Sequence, residues 1–201
     1  MRLRPRLHAR GQSIVEFSLV FPIILVLLVA VIEFGFALNA LLATSFASRD
    51  AALEAAEAGN VSGADCVVLR QIEQDILVPA DKTLITRVDI FWTDQTGTTV
   101  KASNVYQRTG STTCTVNAVA ITVPYTATST GYLDTGRCTT VAGCVGAHTP
   151  SVDTIGVKIT YDYHFKTPLN TLLGLLGPHT VSGASGMTMV QSNVMRMEPI
   201  L

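Results

Sequence analysis

The sequence predicts an α+β fold, a long N-terminal helix followed by a domain built on an antiparallel β-sheet. Three observations predict it. An apolar run from Phe17 to Leu42 contains one ionisable residue, Glu33. The alanine-rich stretch Ala47–Ala58 follows it with no helix breaker between. Beyond Pro79 the composition turns to Thr, Val, Ile and Tyr separated by Gly-containing turns, which favours strands.

The helix is expected over residues 12–59. Its apolar part, about residues 17–42, covers ~38 Å at ~1.5 Å per residue, enough to cross a ~30 Å hydrocarbon core with tilt. Pro22 lies inside it and is able to bend it. Residues 43–59 read as amphipathic, with Leu38, Leu41, Leu42, Ser45, Phe46, Arg49 and Leu53 as the face suited to cover a sheet. Gly59-Asn60 reads as the stop. Glu33 lies ~25 Å along the axis from Glu16 and is expected to emerge at the outer lipid boundary.

Residues 60–201 form the second part. Val68, Ile72 and Ile76 at helical spacing predict a helix over Ala64–Leu77, ended by Pro79. Leu84–Trp92 and Thr98–Tyr106 flank Asp94-Gln95-Thr96-Gly97 and read as a hairpin. Ala118–Tyr125 is a further strand. Asp134–Thr149, rich in Gly, Thr and Cys, is expected to protrude as a loop. Val157, Ile159, Tyr161, Tyr163 and Phe165 alternate with polar residues, the two-residue period of a half-buried strand. A short helix from Thr167-Pro168-Leu169 to about Leu176 and a last strand within His179–Met197 complete the chain.

Charge gives a direction to the long helix. Arg2, Arg4, Arg6 and Arg10 precede the apolar run, and the next basic residue is Arg49. Positive residues stay on the cytoplasmic side, so the N-terminus is expected in the cytoplasm and residues 60–201 outside. Without the basic arm the chain is mildly acidic, which gives nucleic acid no footprint. The four cysteines, Cys66, Cys114, Cys138 and Cys144, then lie in an oxidising compartment and favour disulfides. Three pairings are open. The favoured one joins Cys138 to Cys144 across a short Gly-rich loop, and Cys66 to Cys114. A zinc set of Cys138, Cys144 and His148 lacks a CxxC knuckle and is the weaker alternative. His148, His164 and His179 sit in no nucleophile, metal or phosphate motif, so neither enzyme activity nor a metal or other cofactor is expected.

One stretch carries specific information. Arg10-Gly11-Gln12-Ser13-Ile14-Val15-Glu16-Phe17 sets a carboxylate five residues after a glycine, at the mouth of an apolar helix. A charge there is costly in lipid. This stretch resembles the processing site of type IV prepilins, and the nearest family is the TadE-like pseudopilins of the tight-adherence pilus. Ala47–Ala58, the Tyr-rich Ile159–Phe165, Thr167-Pro168-Leu169 and Val194-Met195-Arg196 also resemble that family. Phe17 stands where such proteins often carry tyrosine. The middle of the chain, about residues 65–150, resembles nothing known.

The resemblance implies a leader, residues 1–11, cut by a membrane-embedded prepilin peptidase between Gly11 and Gln12. It implies that Glu16, with Phe17 beside it, registers one subunit against the new N-terminus of another. The implied partners are the peptidase, an inner-membrane platform with its ATPase, other pilins and membrane lipid. The implied function is that of a minor pilin assisting or initiating assembly of a bacterial surface pilus, held in the cytoplasmic membrane by a single pass. Two other readings remain open. One is a membrane-anchored sensor or adhesin. The other is a secreted protein whose apolar run is a signal peptide, although that run is roughly twice the usual apolar core of about 7–15 residues.

Overall fold

The computed structural model describes residues 9–139, 152–167 and 186–197. Helix α1 spans Ala9–Ala58, 50 residues, and is long and apolar enough to cross a membrane. It begins before Gln12 because Ala9 and Arg10 are good helix formers and nothing between them and Gly11 stops a helix. It ends where Gly59 takes φ 57°, a left-handed conformation that glycine adopts freely, and donates its N–H to the Ala55 carbonyl at 3.3 Å.

The chain divides into two compact units. Residues 1–37 and 164–185 make the first. Within its described part, large apolar side chains face outward along α1: Ile14 is 70% exposed, Leu19 69%, Val31 71% and Phe34 68%. Glu33 is the exception. It is 3% exposed, and its carboxylate accepts the backbone N–H of Lys166 at 3.0 Å and of Thr167 at 2.7 Å. Glu33, expected to emerge at the outer lipid boundary, is enclosed by its own chain. Two backbone donors satisfy the carboxylate, and Lys166 Nζ lies 5.4 Å from the centre of the Phe36 ring.

The second unit, residues 38–163 and 186–201, holds the sheet. Helix α2 spans Ala64–Asp75. Five strands, β1 (Ile85–Thr93), β2 (Val100–Gln107), β5 (Thr126–Thr130), β6 (Thr154–His164) and β7 (Gly186–Arg196), stand in the order β5-β2-β1-β6-β7. β1 pairs antiparallel with both β2 and β6, and β2 with β5. Strands β3 (Thr112–Val116) and β4 (Val119–Val123) form a separate antiparallel hairpin.

Register decides which side chains meet. Val88 lies between Tyr106 and Ile159, and Ile90 between Asn104 and Val157, so these residues share one face. Both helices cover that face. Asp65 and Glu73 bring α2 to it, through Asn104 and Arg108. Asn193 of β7 donates to the Ser48 hydroxyl of α1 at 2.5 Å. The alternation read in Val157–Tyr163 holds, with Val157, Ile159, Tyr161 and Tyr163 all buried.

The face of α1 that is buried in this unit is not the one read from the sequence. Leu38, Leu42, Phe46 and Leu53 are 42, 48, 60 and 45% exposed. Ala40, Thr44, Ala47, Ser48, Ala51 and Ala55 are buried instead. Small side chains let a helix backbone approach a sheet closely, and the large ones are left on the outside.

Other expectations shift by a few residues or change. The 85–107 hairpin forms, with Asp94 at its turn accepting from the Thr96 hydroxyl at 2.8 Å and the Thr98 N–H at 3.0 Å. Those bonds, the Thr96 hydroxyl first, hold the Asp94 carboxyl well below the usual carboxylate range. The segment from Asp134 does not simply protrude: Arg137, Cys138 and Thr139 are buried. Its remainder and the helix expected from Thr167 lie outside the described residues.

Gly156 on β6 sits where a side chain has no room. A Cβ there would lie 2.6 Å from Phe91 Cε2 and 2.8 Å from Val194 Cγ1. Gly156→Ala is expected to lower the stability of the chain by about 1–3 kcal/mol through overpacking. Adding Phe91→Leu is expected to recover part of that loss. Denaturant titration of the full chain in detergent checks both.

Candidate functional site

The residues expected to act lie at the start of α1. Gly11 and Gln12 fall inside helix α1. Glu16 and Phe17 are exposed, Phe17 to 64%. Phe17 contacts Phe21 one turn on, with ring centres 5.3 Å apart. The helix thus carries an exposed carboxylate and an exposed aromatic ring close after Gly11.

Residues 11–53 match the family described as TadE-like protein. The match covers part of helix α1 and none of the sheet. The matched segment begins at Gly11, so the basic arm lies before it. No curated protein and no solved structure matches the chain.

The cysteines are placed in part. Cys66 of α2 is bonded to Cys114 of β3, with Cα atoms 6.2 Å apart. The bond ties the β3–β4 hairpin to α2. Gly63, just before α2, makes the approach close enough: a Cβ there would lie 2.8 Å from Val116 Cγ2. Cys138 is also disulfide-bonded, but the expected pairing with Cys144 lies outside the described residues. So does the zinc alternative, which needs Cys144 and His148.

Sequence reasoning missed a buried polar cluster centred on Asp65. The first turn of α2 holds this carboxylate, where the helix dipole favours a negative charge. Its Oδ2 accepts from Asn104 Nδ2 at 2.7 Å and from the Tyr106 hydroxyl at 2.6 Å. Its Oδ1 pairs with Arg137 Nη2, whose side chain is fully enclosed. Arg137 also lies over the Tyr132 ring at 4.9 Å. Tyr132 donates its hydroxyl to Asp153 Oδ2 at 2.8 Å, and the Cys138 N–H reaches the same oxygen at 3.0 Å. Asn104 completes the strap, accepting the Tyr132 N–H at 2.7 Å.

A second, smaller cluster lies further along α2. Glu73 accepts the Tyr125 hydroxyl at 2.6 Å and pairs with Arg108, whose guanidinium sits 4.8 Å from the Tyr125 ring centre. Nothing in the sequence marks either cluster, because their members are tens of residues apart. Both fix elements against one another. Neither offers a nucleophile beside a base.

Burial first, and then the neighbouring Asp65, Glu73 and Asp153 carboxylates, push the hydroxyls of Tyr106, Tyr125 and Tyr132 well above the ordinary tyrosine range. A pKa raised on folding stabilises below the unfolded value, and that contribution is lost as pH rises past it. The stability of the chain is therefore expected to hold up to about pH 10 and to fall above it. The tyrosinate absorbance of these residues should appear only as the chain unfolds. Normal titration by the folded chain would refute this.

Asp65→Leu leaves Arg137 enclosed without its carboxylate. The expected cost is about 3–5 kcal/mol in denaturant titration, and Asp65→Leu with Arg137→Met should recover most of it.

Proposed function

We propose that the chain is a minor pilin or pseudopilin of a tight-adherence pilus, cut after Gly11 and assembled through α1. The match to TadE-like proteins over residues 11–53 supports this reading, because it begins at Gly11 and its span includes Glu16. The charge of the arm supports the direction: four arginines hold the N-terminus in the cytoplasm while the sheet domain stands outside.

The surface of α1 supports assembly. Lipid satisfies the exposed apolar residues from Ile14 to Phe34, but the exposed stripe continues through Leu38, Leu42 and Phe46 to Leu53. An apolar stripe that runs past the lipid-suited stretch fits the helix of a neighbouring pilin. Cutting at Gly11 creates a free amine at Gln12. Glu16 of a neighbour pairs with it, which lowers the cost of holding both charges in an apolar bundle and sets the axial step. The partners are then a prepilin peptidase, the inner-membrane platform and other pilins. The bulk of residues 60–201 suits a tip or base position over a repeating shaft. The chain works by assembly, without catalysis.

Mass spectrometry of the protein from its native membrane is expected to find a mature N-terminus at Gln12. An intact arm would indicate a permanent anchor, and a start near Arg49 an ordinary signal peptide. Glu16→Ala is expected to be cut normally yet to enter pili poorly, read by immunoblot of sheared filaments. Normal incorporation of that variant overturns the role of Glu16.

A further inference from the structure

Leu77, Val78 and Pro79 follow α2 and are all exposed. Leu77 is 68% exposed and Val78 94%, more than any other large apolar side chain among the described residues. A single exposed valine is ordinary on a protein surface, but a leucine and a valine held out together on a fixed turn call for a partner. The turn is fixed on both sides. Ile76 before it and Ala80 after it are buried, and Ala80 donates its N–H to the Leu77 carbonyl at 3.0 Å. The Asp81 N–H donates to the Tyr161 hydroxyl at 3.0 Å. The Asp81 carboxylate accepts from the N–H and hydroxyl of Thr83, at 2.9 and 2.7 Å.

Tyr161 gives the turn its place in the sheet unit. It pairs with Ile85 at the start of β1, and Asp162 next to it accepts the Thr188 hydroxyl of β7 at 2.7 Å. The turn, the end of β6 and the start of β7 therefore share one end of the sheet. The chain leaves this unit at that same end, after Tyr163, and re-enters it at Gly186.

The tether from that end is short. Lys166, whose N–H is bonded to Glu33 of α1, follows Tyr161 by five residues. Five residues of chain span at most about 18 Å. On the reading of α1 as a membrane span, which this inference needs, Glu33 belongs to the outer part of the apolar run, and the headgroup layer beyond the hydrocarbon is ~5–8 Å thick. The tether therefore keeps the Tyr161 end of the sheet within reach of the headgroups. The opposite end, where Thr93 pairs with Val100, is about 26 Å of strand further along β1.

We propose that Leu77 and Val78 anchor the sheet domain on the phospholipid surface, their side chains entering the boundary between headgroups and acyl chains. Both gain by leaving water, as the apolar face of any interfacial segment does. Lys82 follows with a half-exposed ammonium, 3.9 Å from Glu73, and supplies a donor for lipid phosphate. Lipid suits this tip better than another protein. A protein interface takes about 20–30 residues a side and a matching recess, whereas a bilayer accepts two projecting side chains without one. The anchor would hold the sheet domain at the membrane by a second contact besides α1.

Tryptophan fluorescence of the full chain in vesicles tests it. The vesicles are phosphatidylcholine brominated near the carboxyl end of its acyl chains, where bromine quenches tryptophan that enters the bilayer. Trp92→Phe removes the one native tryptophan. Val78→Trp, Val100→Trp and Phe34→Trp are then added singly, each at an exposed apolar position. The Val78→Trp and Phe34→Trp reporters are expected to lose emission, and the Val100→Trp reporter to keep it. Adding Leu77→Asp is expected to restore emission to the Val78→Trp reporter and to leave the Phe34→Trp reporter quenched. Quenching of Phe34→Trp without quenching of Val78→Trp overturns the anchor and spares the membrane reading of α1. Quenching of neither overturns both. Equal quenching of Val100→Trp, or no effect of Leu77→Asp, also overturns the anchor. A blue-shifted but unquenched Val78→Trp reporter would put a neighbouring protein chain on the tip in place of lipid.

Discussion

Everything in this chain depends on one helix meeting two different surroundings along its length. From Ile14 to Phe34, α1 is apolar almost all round, which suits a lipid solvent. From Ala40 to Ala55 the same helix buries a stripe of alanine, serine and threonine and holds its leucines and Phe46 outward. A globular protein ordinarily puts its large apolar side chains inside. The inversion follows from close approach: with only methyl and hydroxymethyl groups between them, helix backbone and sheet come near, and side chains such as Asn193 reach helix atoms directly. The outward stripe is then available to another helix.

The domain beyond α1 has one five-stranded sheet and a separate β3–β4 hairpin, so it has limited apolar volume to bury. It compensates with polar contacts that join elements distant in sequence. Asp65 unites α2, β2 and the 132–138 segment, and Glu73 unites α2 with Arg108 and Tyr125. The Cys66–Cys114 bond adds a covalent tie from α2 to the β3–β4 hairpin. Such clusters do little for net stability compared with apolar replacements, yet breaking one member is costly, so they specify one arrangement of the elements.

Glu33 belongs to the same logic. A carboxylate in an apolar helix needs a compensating partner, and the backbone N–H groups of Lys166 and Thr167 supply it just after β6 ends. The Glu33 charge is thus held within its own chain. The faces of the sheet domain are likewise divided. The helix-covered face builds the core, and the other face carries Arg87, Asp89 and Lys158.

The sequence by itself determined the long helix, its stop at Gly59, the Asp94 hairpin, the alternating strand that became β6, and the Gly11–Glu16 register. Each is a local signal: hydropathy, a turn residue, a two-residue period, a fixed spacing. It did not reveal β3, because the turn to β4 uses Asn117 and Ala118, both at positive φ, where the usual signal is a glycine. Nor did it reveal β5, since Thr126–Thr130 is a polar strand at the sheet edge with no apolar period. Only the tertiary structure decided which stripe of α1 is buried, that Glu33 is enclosed, and that Asp65, Arg137 and Asp153 meet. The periodicity of a helix names its faces but not which of them another layer covers, and side chains separated by 70 residues have no shared pattern until the strands between them fold.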